Sequence, residues 1–359
     1  MIAARYYYYV YLMVVTGYTL FYASKYNKYN VARLGLPKTE PFIPTLFLAI
    51  LTILFIGLRP VDFVFVDMVG YVEQWDYWAQ THYSFSLEAE NLLFDNLRIF
   101  MSSIGLSAEI FIFLIASIYF SCMAAACRKM FPKDTMLAFL VCLGAFSTFT
   151  YATNGIKAGS AASIFLLALA YHDKLKITIP LALVSWGFHH SMVMVVASYI
   201  IVLLYNKPKW YFALWGISVL IAALHISTFQ ALFASMADER GQSYLEGQQF
   251  GKGFRLDFIL YSAMPVLVGY YAIFKKKIQS KAYNIVLCLY LITNSIWMLC
   301  MYAEFTNRIA YLSWFQYPIV LIYPFLNEKW GINQYKILRK VAYAHLAFTL
   351  FMTFVFYAK

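Results

Sequence analysis

Charged residues are scarce in this chain of 359 residues, at 13% of the total against about 25% in an ordinary soluble domain. Apolar residues make up 62%. Many apolar runs reach the length of about 20 residues that a helix needs to span a membrane. Because a backbone in lipid has to satisfy its own hydrogen bonds, such runs form helices. The scarcity of charge therefore excludes an ordinary soluble domain and predicts an all-α polytopic membrane protein.

The motifs of several common sites are also missing. The five cysteines have no C-x-x-C spacing and fall mostly within apolar runs, so we interpret them as packing residues. No D-x-D motif for a metal-bound nucleotide sugar occurs, and the nearest sequence is Glu88-Ala89-Glu90. The stretch from Gly247 to Gly253 is one residue short of a Walker A motif. Since no lysine-rich loop is long enough for a nucleotide-binding domain, we expect an activated substrate to arrive within the membrane.

The apolar runs predict about 11 to 12 spans. Without an internal repeat or a low-complexity tract, we expect a single transmembrane domain over 1–359, with two larger extracytoplasmic loops at 59–101 and 227–256. The candidate spans are 6–23, 41–58, 102–126, 135–153, 159–172, 177–189, 191–205, 210–226, 257–274, 282–302, 309–326 and 341–357.

The charges are divided unequally between the two sets of connections. If the spans alternate, one set holds 19 of the 28 basic residues and only 4 of the 17 acids. Such a bias is typical of cytoplasmic loops. The net charge of +11 therefore indicates orientation in a bilayer rather than a nucleic-acid partner. It places the lysine-rich loops in the cytoplasm and the two larger loops outside.

The segment 177–205 does not fit simple spans. It is nearly all apolar, with Pro180 near its start and Gly187-Phe188-His189-His190-Ser191 in its middle. If the segment divides at the histidines, each half has about 12 to 15 residues and reaches only about 20 Å, which is short of a full crossing. Lysines flank both ends, so we predict a broken or re-entrant element that enters the membrane and returns. Irregular backbone at membrane depth requires protein or a water-filled cavity around it, so we expect His189 to border a cavity.

The loop 59–101, which we call the roof, is the longest polar interval of the chain. Carboxylates and aromatic residues alternate in it with little basic charge. Asp67 has no basic neighbour in sequence and is a candidate general base, although a solvated loop carboxylate is the simpler interpretation. Tyr71 and Trp75 offer ring faces suited to sugars, but anchoring at the membrane surface is at least as common a use.

Four arginines stand at or near the ends of predicted spans: Arg59, Arg98, Arg255 and Arg308. A guanidinium is a planar fork that stays charged and matches pairs of phosphate oxygens. Snorkelling to the membrane surface is the alternative for each of them. Arg59 and Arg308 are the stronger phosphate candidates, because each abuts apolar sequence and has a carboxylate nearby to orient it. The remaining charged candidates on the same predicted face include Asp62, Lys157, Arg240, Asp257 and Glu304.

Five segments, in the same order along the chain, resemble one family. The first resembles its G-L-R…D…Y signature, the second its N-x-x-R-Q…A segment, the third its F-H-x-S motif, and the last two its late segments. They are Gly57-Leu58-Arg59 with Asp67 and Tyr71, Asn154-Gly155-Ile156-Lys157-Ala158, Phe188-His189-His190-Ser191, Phe254-Arg255-Leu256-Asp257-Phe258 and Asn307-Arg308-Ile309-Ala310-Tyr311.

This family is that of the EpsG-like and Wzy-type bacterial polysaccharide polymerases, and the resemblance covers about residues 45 to 325. There are departures. The spacing from Arg59 to Asp67 is longer and lacks the family's V-G-x-D, and Lys157 and Ala158 stand where the family often has arginine and glutamine.

The resemblance implies a fold similar to the GT-C membrane glycosyltransferases, in the bacterial plasma membrane, with the active site on the outer face. It implies a transferase that joins undecaprenyl-diphosphate-linked oligosaccharide repeat units, with donor, acceptor, bilayer and a chain-length regulator protein as partners. Arg59 and Arg308, helped by Arg255 and Lys157, would bind the donor diphosphate. Asp67 or His189 would accept the proton of the attacking hydroxyl. Neither a cofactor nor a metal is expected, since guanidinium groups can supply the charge that a divalent ion supplies elsewhere.

Other functions stay open at this point. A transporter or lipid flippase suits a dozen spans, but such proteins usually show repeats and carry polar sites near the midplane. A membrane acyltransferase built around His189 would need polar residues on the lysine side, which has few. An O-antigen ligase differs from a polymerase only in its acceptor, so the residues do not exclude it.

Overall fold

The computed structural model describes residues 2–27, 39–226, 228, 253–304, 306–331 and 333–357. Within these ranges every regular element is helical. The helices are α1 (Tyr7–Ser24), α2 (Ile43–Gly57), α3 (Asp67–Val72), α4 (Trp75–Ala79), α5 (Leu92–Ser103), α6 (Ala108–Met130), α7 (Thr135–Leu143), α8 (Thr148–Thr153), α9 (Ile156–Ala170), α10 (Leu175–Phe188), α11 (Met192–Leu204), α12 (Pro208–Ala223), α13 (Leu256–Tyr270), α14 (Lys281–Leu299), α15 (Thr306–Trp314), α16 (Tyr317–Asn327) and α17 (Gln334–Phe351).

Several of these helices have the length and composition to cross a membrane. Among the described residues they are Ala108–Met130, Leu256–Lys275, Lys281–Leu299 and Thr306–Asn327, of which the last combines α15 and α16. Shorter apolar helices of 13 to 16 residues accompany them: α2, α9, α10, α11 and α12. The predicted all-α polytopic membrane protein is confirmed.

The helices follow the predicted spans, with two additional breaks. The run 135–153 divides into α7 and α8, because the chain turns after Gly144 and the Thr148 hydroxyl donates to the carbonyl oxygen of Cys142 at 2.7 Å. The run 309–326 divides at 315–316, immediately before a helix with a proline in its first turn. Proline restricts the residue before it and favours a helix start, so this break has a local cause.

The predicted break in 177–205 is present. Helix α10 ends at Phe188, His189 adopts an extended backbone with φ −150° and ψ 116°, and α11 begins at Met192. The two helices have 14 and 13 residues, so each is about 20 Å long.

The described chain divides into two compact units, 1–193 with 331–359 and 194–330. The single domain over 1–359 therefore stays a prediction. In the first unit α9 packs between α6 and α10, and α2 packs on α6. Helices α9 and α10 run in opposite directions, since the hydroxyl of Ser185 donates to the carbonyl oxygen of Ala161 at 2.7 Å.

The first unit has two distinct ends. At one, which we call the roof end, α2 and α10 end and α9 begins. At the other, the lysine-rich end, α2 begins and α6 and α9 end, which brings Lys129 within 5.2 Å of the Tyr171 ring. The roof itself is folded, because it contains α3, α4 and α5.

The second unit is held by a buried polar network. The Asn294 amide nitrogen donates to the hydroxyls of Ser262 and Ser313 at 3.1 and 2.9 Å, and its oxygen accepts from the indole of Trp215 at 2.8 Å. Trp314 donates to the same Ser262 hydroxyl at 2.9 Å. The network ties α12, α13, α14 and α15 through satisfied polar groups, which is the form in which a membrane interior tolerates them.

Candidate active site

Arg59 is buried at the end of α2, with 2% of its surface exposed. Its Nη1 donates to the carbonyl oxygen of Ile56 at 2.7 Å, and its Nη2 donates to the carbonyl oxygen of Thr153 at 2.9 Å. The guanidinium carbon lies 5.4 Å from the centre of the Phe65 ring. The Nε atom is buried and has no partner, and no carboxylate of the described residues pairs with the group. Desolvation lowers the pKa of Arg59 to about 10, so the side chain stays protonated at neutral pH.

The position of Arg59 follows from close helix packing. A Cβ added to Gly57 would lie 2.8 Å from the Phe113 ring and 3.2 Å from the Phe113 Cα. Glycine is therefore required for α2 to approach α6 this closely. The last turn of α2 is drawn against α6, and Arg59 follows in the buried space beside them.

The second resembling segment meets Arg59 through Thr153. The Oδ1 of Asn154, the next residue, is buried and has no hydrogen-bond partner. Lys157 is half-buried in the first turn of α9. The start of α9 lies tight against α8, because a Cβ on Gly159 would collide with the carbonyl oxygen of Tyr151. The hydrogen bond from Arg59 to Thr153 therefore joins two segments that are separated by 94 residues in sequence.

The acidic candidates of the roof lie close to Arg59 in sequence, but Asp62 does not pair with it. The Asp62 carboxylate accepts from the backbone nitrogen of Val64 at 2.9 Å and caps the turn Phe63–Phe65. Asp67 is half-buried at the first residue of α3.

The aromatic candidates of the roof pack within the first unit. The Trp75 indole is 7% exposed and donates to the carbonyl oxygen of Leu106 at 2.8 Å. Tyr71 is half-buried and packs edge-on against Phe94, with ring centres 5.6 Å apart. Because Trp75 is buried against Leu106 and Phe111, its ring packs the roof onto the following helix.

Arg98 lies on α5, in the roof. Its Nη2 is 4.0 Å from the Asp95 carboxylate, and its guanidinium carbon is 4.2 Å from the centre of the Trp78 ring. Burial lowers the pKa of Arg98, while the neighbouring Asp95 opposes that shift. Its Nε is buried without a hydrogen bond. This arginine therefore has a weak ion pair and an aromatic contact.

The helix break after α10 is joined to the roof. A Cβ on Gly187 would lie 2.6 Å from Leu93 Cγ, so α10 meets α5 closely. The backbone nitrogen of His190 donates to the Oδ1 of the fully buried Asn91 at 3.1 Å. His189 is half-buried, and its Nδ1 accepts from the backbone nitrogen of Ser191 at 3.2 Å.

His190 belongs to a cluster that the sequence did not reveal. Its Nδ1 lies 3.3 Å from both the Glu90 carboxylate and the Asn91 Oδ1, and its Nε2 lies 3.4 Å from the Ser191 hydroxyl. Asn91 in turn donates twice to the Asp95 carboxylate, at 3.0 and 3.2 Å. The spacing of Asn91, Asp95 and Arg98 is the only sign of this cluster in the sequence, because it predicts that these three polar side chains share one helix face.

The second unit carries the remaining candidates. Arg255 and Asp257 form a bidentate ion pair at 2.9 and 2.7 Å, and the Arg255 guanidinium carbon lies 3.6 Å from the centre of the Phe258 ring. Arg308 is exposed on α15, Glu304 is half-buried, and Tyr311 is 2% exposed. Arg240 lies outside the described residues.

Chemically, the roof end carries both a buried positive charge and groups that can accept a proton. Arg59 supplies a fixed cation, and Asp67 and His189 are carboxylate and imidazole groups on the same end of the unit. Within the described ranges, no three side chains of His, Cys, Asp or Glu come close enough to hold one metal ion.

A family model described as the EpsG family matches residues 42–359. The chain belongs to the EpsG family. No curated protein and no solved structure matches the chain. The EpsG match begins just before α2 and includes all five resembling segments, so the resemblance is confirmed. Membership, with the spanning helices, makes this EpsG chain a multi-pass membrane protein of polysaccharide biosynthesis.

Proposed function

We propose that this protein is a polysaccharide polymerase that joins oligosaccharide repeat units carried on undecaprenyl diphosphate. The reaction takes place at the roof end, on the extracytoplasmic face of the bacterial plasma membrane. The proposed orientation follows from the charges, because the lysine-rich end fits the cytoplasmic side.

The buried guanidinium of Arg59 carries this proposal. A cation in an apolar, membrane-embedded environment is costly unless it is paired. Among the described residues Arg59 has two carbonyl oxygens, an aromatic ring and no carboxylate. A diphosphate supplies the missing negative charge, and the carbonyl contacts hold the guanidinium in place before the substrate arrives.

In the proposed reaction an acceptor hydroxyl attacks the anomeric carbon of the donor sugar. The new glycosidic bond forms as the bond from that carbon to the diphosphate oxygen breaks, and undecaprenyl diphosphate leaves with the bonding electrons. Asp67 or His189 accepts the hydroxyl proton. Arg59 stabilises the negative charge that grows on the leaving oxygen, which is the step where a preorganised cation is most effective.

Purified protein tests this directly when it is given a synthetic lipid-diphosphate oligosaccharide and the glycan lengths are measured. Wild type should produce longer chains without an added nucleotide sugar. Arg59→Ala should reduce elongation by about 100-fold or more, the usual effect of removing one transition-state donor. Arg5→Ala is the matched control. Arg5 is an exposed arginine, and the turn that contains it, Ala4–Tyr6, contacts the turn Phe63–Phe65.

Two outcomes would overturn the proposal. Full elongation by a well-folded Arg59→Ala protein would remove the diphosphate role of this arginine. Translocation of the lipid-linked oligosaccharide in liposomes, with no change in glycan length, would identify a flippase instead.

A further inference from the structure

A cleft at the lysine-rich end of the first unit is separate from the candidate active site. It has a volume of about 390 Å³ and is lined by Phe42, Ala125, Arg128, Lys129, Pro132 and Tyr171. Phe42 precedes α2 and Arg59 follows it, and the 15 residues of α2 separate them by about 22 Å.

Arg128 is held in this cleft by backbone oxygens. Its Nη1 donates to the carbonyl oxygens of Glu40 and Pro132, the latter at 3.2 Å, and its guanidinium carbon lies 5.6 Å from the centre of the Phe42 ring. Its Nε and Nη2 make no hydrogen bond to the described part of the chain. The guanidinium is therefore fixed in position while donors on it remain available to a ligand.

Lys129 supplies a second cation, with its Nζ 5.2 Å from the centre of the Tyr171 ring. Neither Lys129 nor Arg128 pairs with a carboxylate among the described residues. The carboxylate of Glu40 accepts from the Tyr22 hydroxyl and from the backbone nitrogen of Met136. The buried Asp134 accepts from the Tyr26 hydroxyl at 2.7 Å. Glu40 and Asp134 thus each accept from a neutral donor, and the residues that line the cleft include two cations and no acid.

An apolar stripe on α2 continues from the cleft. Ile43, Phe47, Ile50 and Leu54 are 77%, 59%, 45% and 41% exposed, and their spacing places them along one helix face. In a membrane protein such a face contacts acyl chains. A soluble phosphate would use only the cations, whereas a phospholipid would use the cations and the stripe together.

We propose that this cleft binds the phosphate headgroup of an anionic phospholipid from the leaflet at the lysine-rich end. Arg128 and Lys129 contact the phosphodiester, the aromatic rings of Phe42 and Tyr171 border the glycerol region, and an acyl chain lies along the α2 stripe. Basic pockets between helices at this side of a membrane suit anionic headgroups. The site is independent of the proposed polymerase reaction.

Native mass spectrometry of delipidated protein tests the proposal, with phosphatidylglycerol and phosphatidylcholine as the probes. Wild type should retain one phosphatidylglycerol more tightly than phosphatidylcholine. Arg128→Ala/Lys129→Ala should weaken that binding by about tenfold relative to the control, as expected for lost charge-assisted bonds. Lys174→Ala/Lys176→Ala is the matched control, since it removes the same charge from exposed residues of the same end.

Lys129→Ala alone keeps the carbonyl contacts of Arg128, so it measures the headgroup effect if the double variant folds poorly. Equal weakening in the control pair would mean a general surface charge effect and overturn the site. Displacement of the lipid by millimolar inorganic phosphate would assign the cleft to a soluble anion instead. Thermal unfolding of each variant separates lost binding from lost folding.

Discussion

The Nη2 of Arg59 donates to the carbonyl oxygen of Thr153 at 2.9 Å, and Thr153 is the last residue of α8. The bond joins the end of α2 to the start of the Asn154–Lys157 segment. Its acceptor belongs to the backbone, so its position depends on how α8 and α9 pack rather than on a side chain. The position of Arg59, the candidate phosphate-binding residue, thus depends on the packing of α8 against α9.

Arg59→Lys should therefore be nearly as harmful to elongation as Arg59→Ala, although it keeps a positive charge. An ammonium cannot reproduce the planar fork that reaches the carbonyl oxygens of Ile56 and Thr153 together. We expect a loss of about 100-fold in the rate of chain elongation. The measurement is the glycan-length distribution over time, with thermal unfolding as the check on folding. Wild-type elongation by the lysine variant would show that charge alone suffices.

Gly159→Ala should destabilise the protein and impair elongation together. A Cβ at this position meets the backbone carbonyl oxygen of Tyr151, which cannot move without shifting α8 and with it Thr153. Overpacking of this kind costs about 1–3 kcal/mol. Gly17→Ala in α1 is the control, because nothing lies within 4 Å of its added Cβ. Equal thermal stability of the two variants would contradict the close approach of α8 and α9.

The helices could be predicted from the sequence because lipid imposes a simple rule on the backbone. Long apolar runs bounded by lysines, prolines and glycines mark their positions, and the break after Phe188 follows from length and from the lysines that flank it. The turn after Gly144 was not predicted. It lies inside a continuous apolar run, and the bond from Thr148 to the carbonyl of Cys142 has no hydropathy signal.

The candidate site could be predicted only in part. Arg59 could be identified as a candidate because it follows a long apolar run. The glycine at position 57 indicates close helix packing beside it. Its partner Thr153 could not be found, since every residue has a carbonyl oxygen. Asp62 is near Arg59 in sequence, but its carboxylate bonds to the backbone nitrogen two residues ahead, as aspartates commonly do in turns. The closeness of Asp62 to Arg59 in sequence therefore does not show that a backbone nitrogen takes the carboxylate instead of the guanidinium.

If the His189 imidazole takes the proton from the attacking hydroxyl of the acceptor sugar, His189→Ala should reduce the elongation rate by about 100-fold or more. A loss of this size is usual when a general base is removed. His190→Ala is its matched neighbour in the same helix break. Both ring nitrogens of His190 already have protein groups nearby, namely Glu90, Asn91 and the Ser191 hydroxyl. We therefore expect His190→Ala to lower thermal stability more than the elongation rate.

Single-turnover elongation by the two histidine variants, measured across a range of pH, distinguishes the roles. The reverse result, with a full rate for His189→Ala and a large loss for His190→Ala, would move the proton acceptor to the Glu90–His190 pair. A large loss of elongation rate in both variants, with folding intact, would show that both histidines of the helix break are needed for the reaction.

Arg255 and Arg308 should respond differently to replacement by alanine. Arg255→Ala removes the bidentate partner of the Asp257 carboxylate, and the loss of this half-buried ion pair should lower the temperature of thermal unfolding. The double variant Arg255→Ala/Asp257→Ala removes both charges and should recover much of that stability. Arg308 is exposed on α15 and lies in the last resembling segment, so Arg308→Ala should lower the elongation rate more than it lowers thermal stability. Normal chain lengths from a stable Arg308→Ala protein would exclude this arginine from donor binding and leave it as a surface charge of its helix.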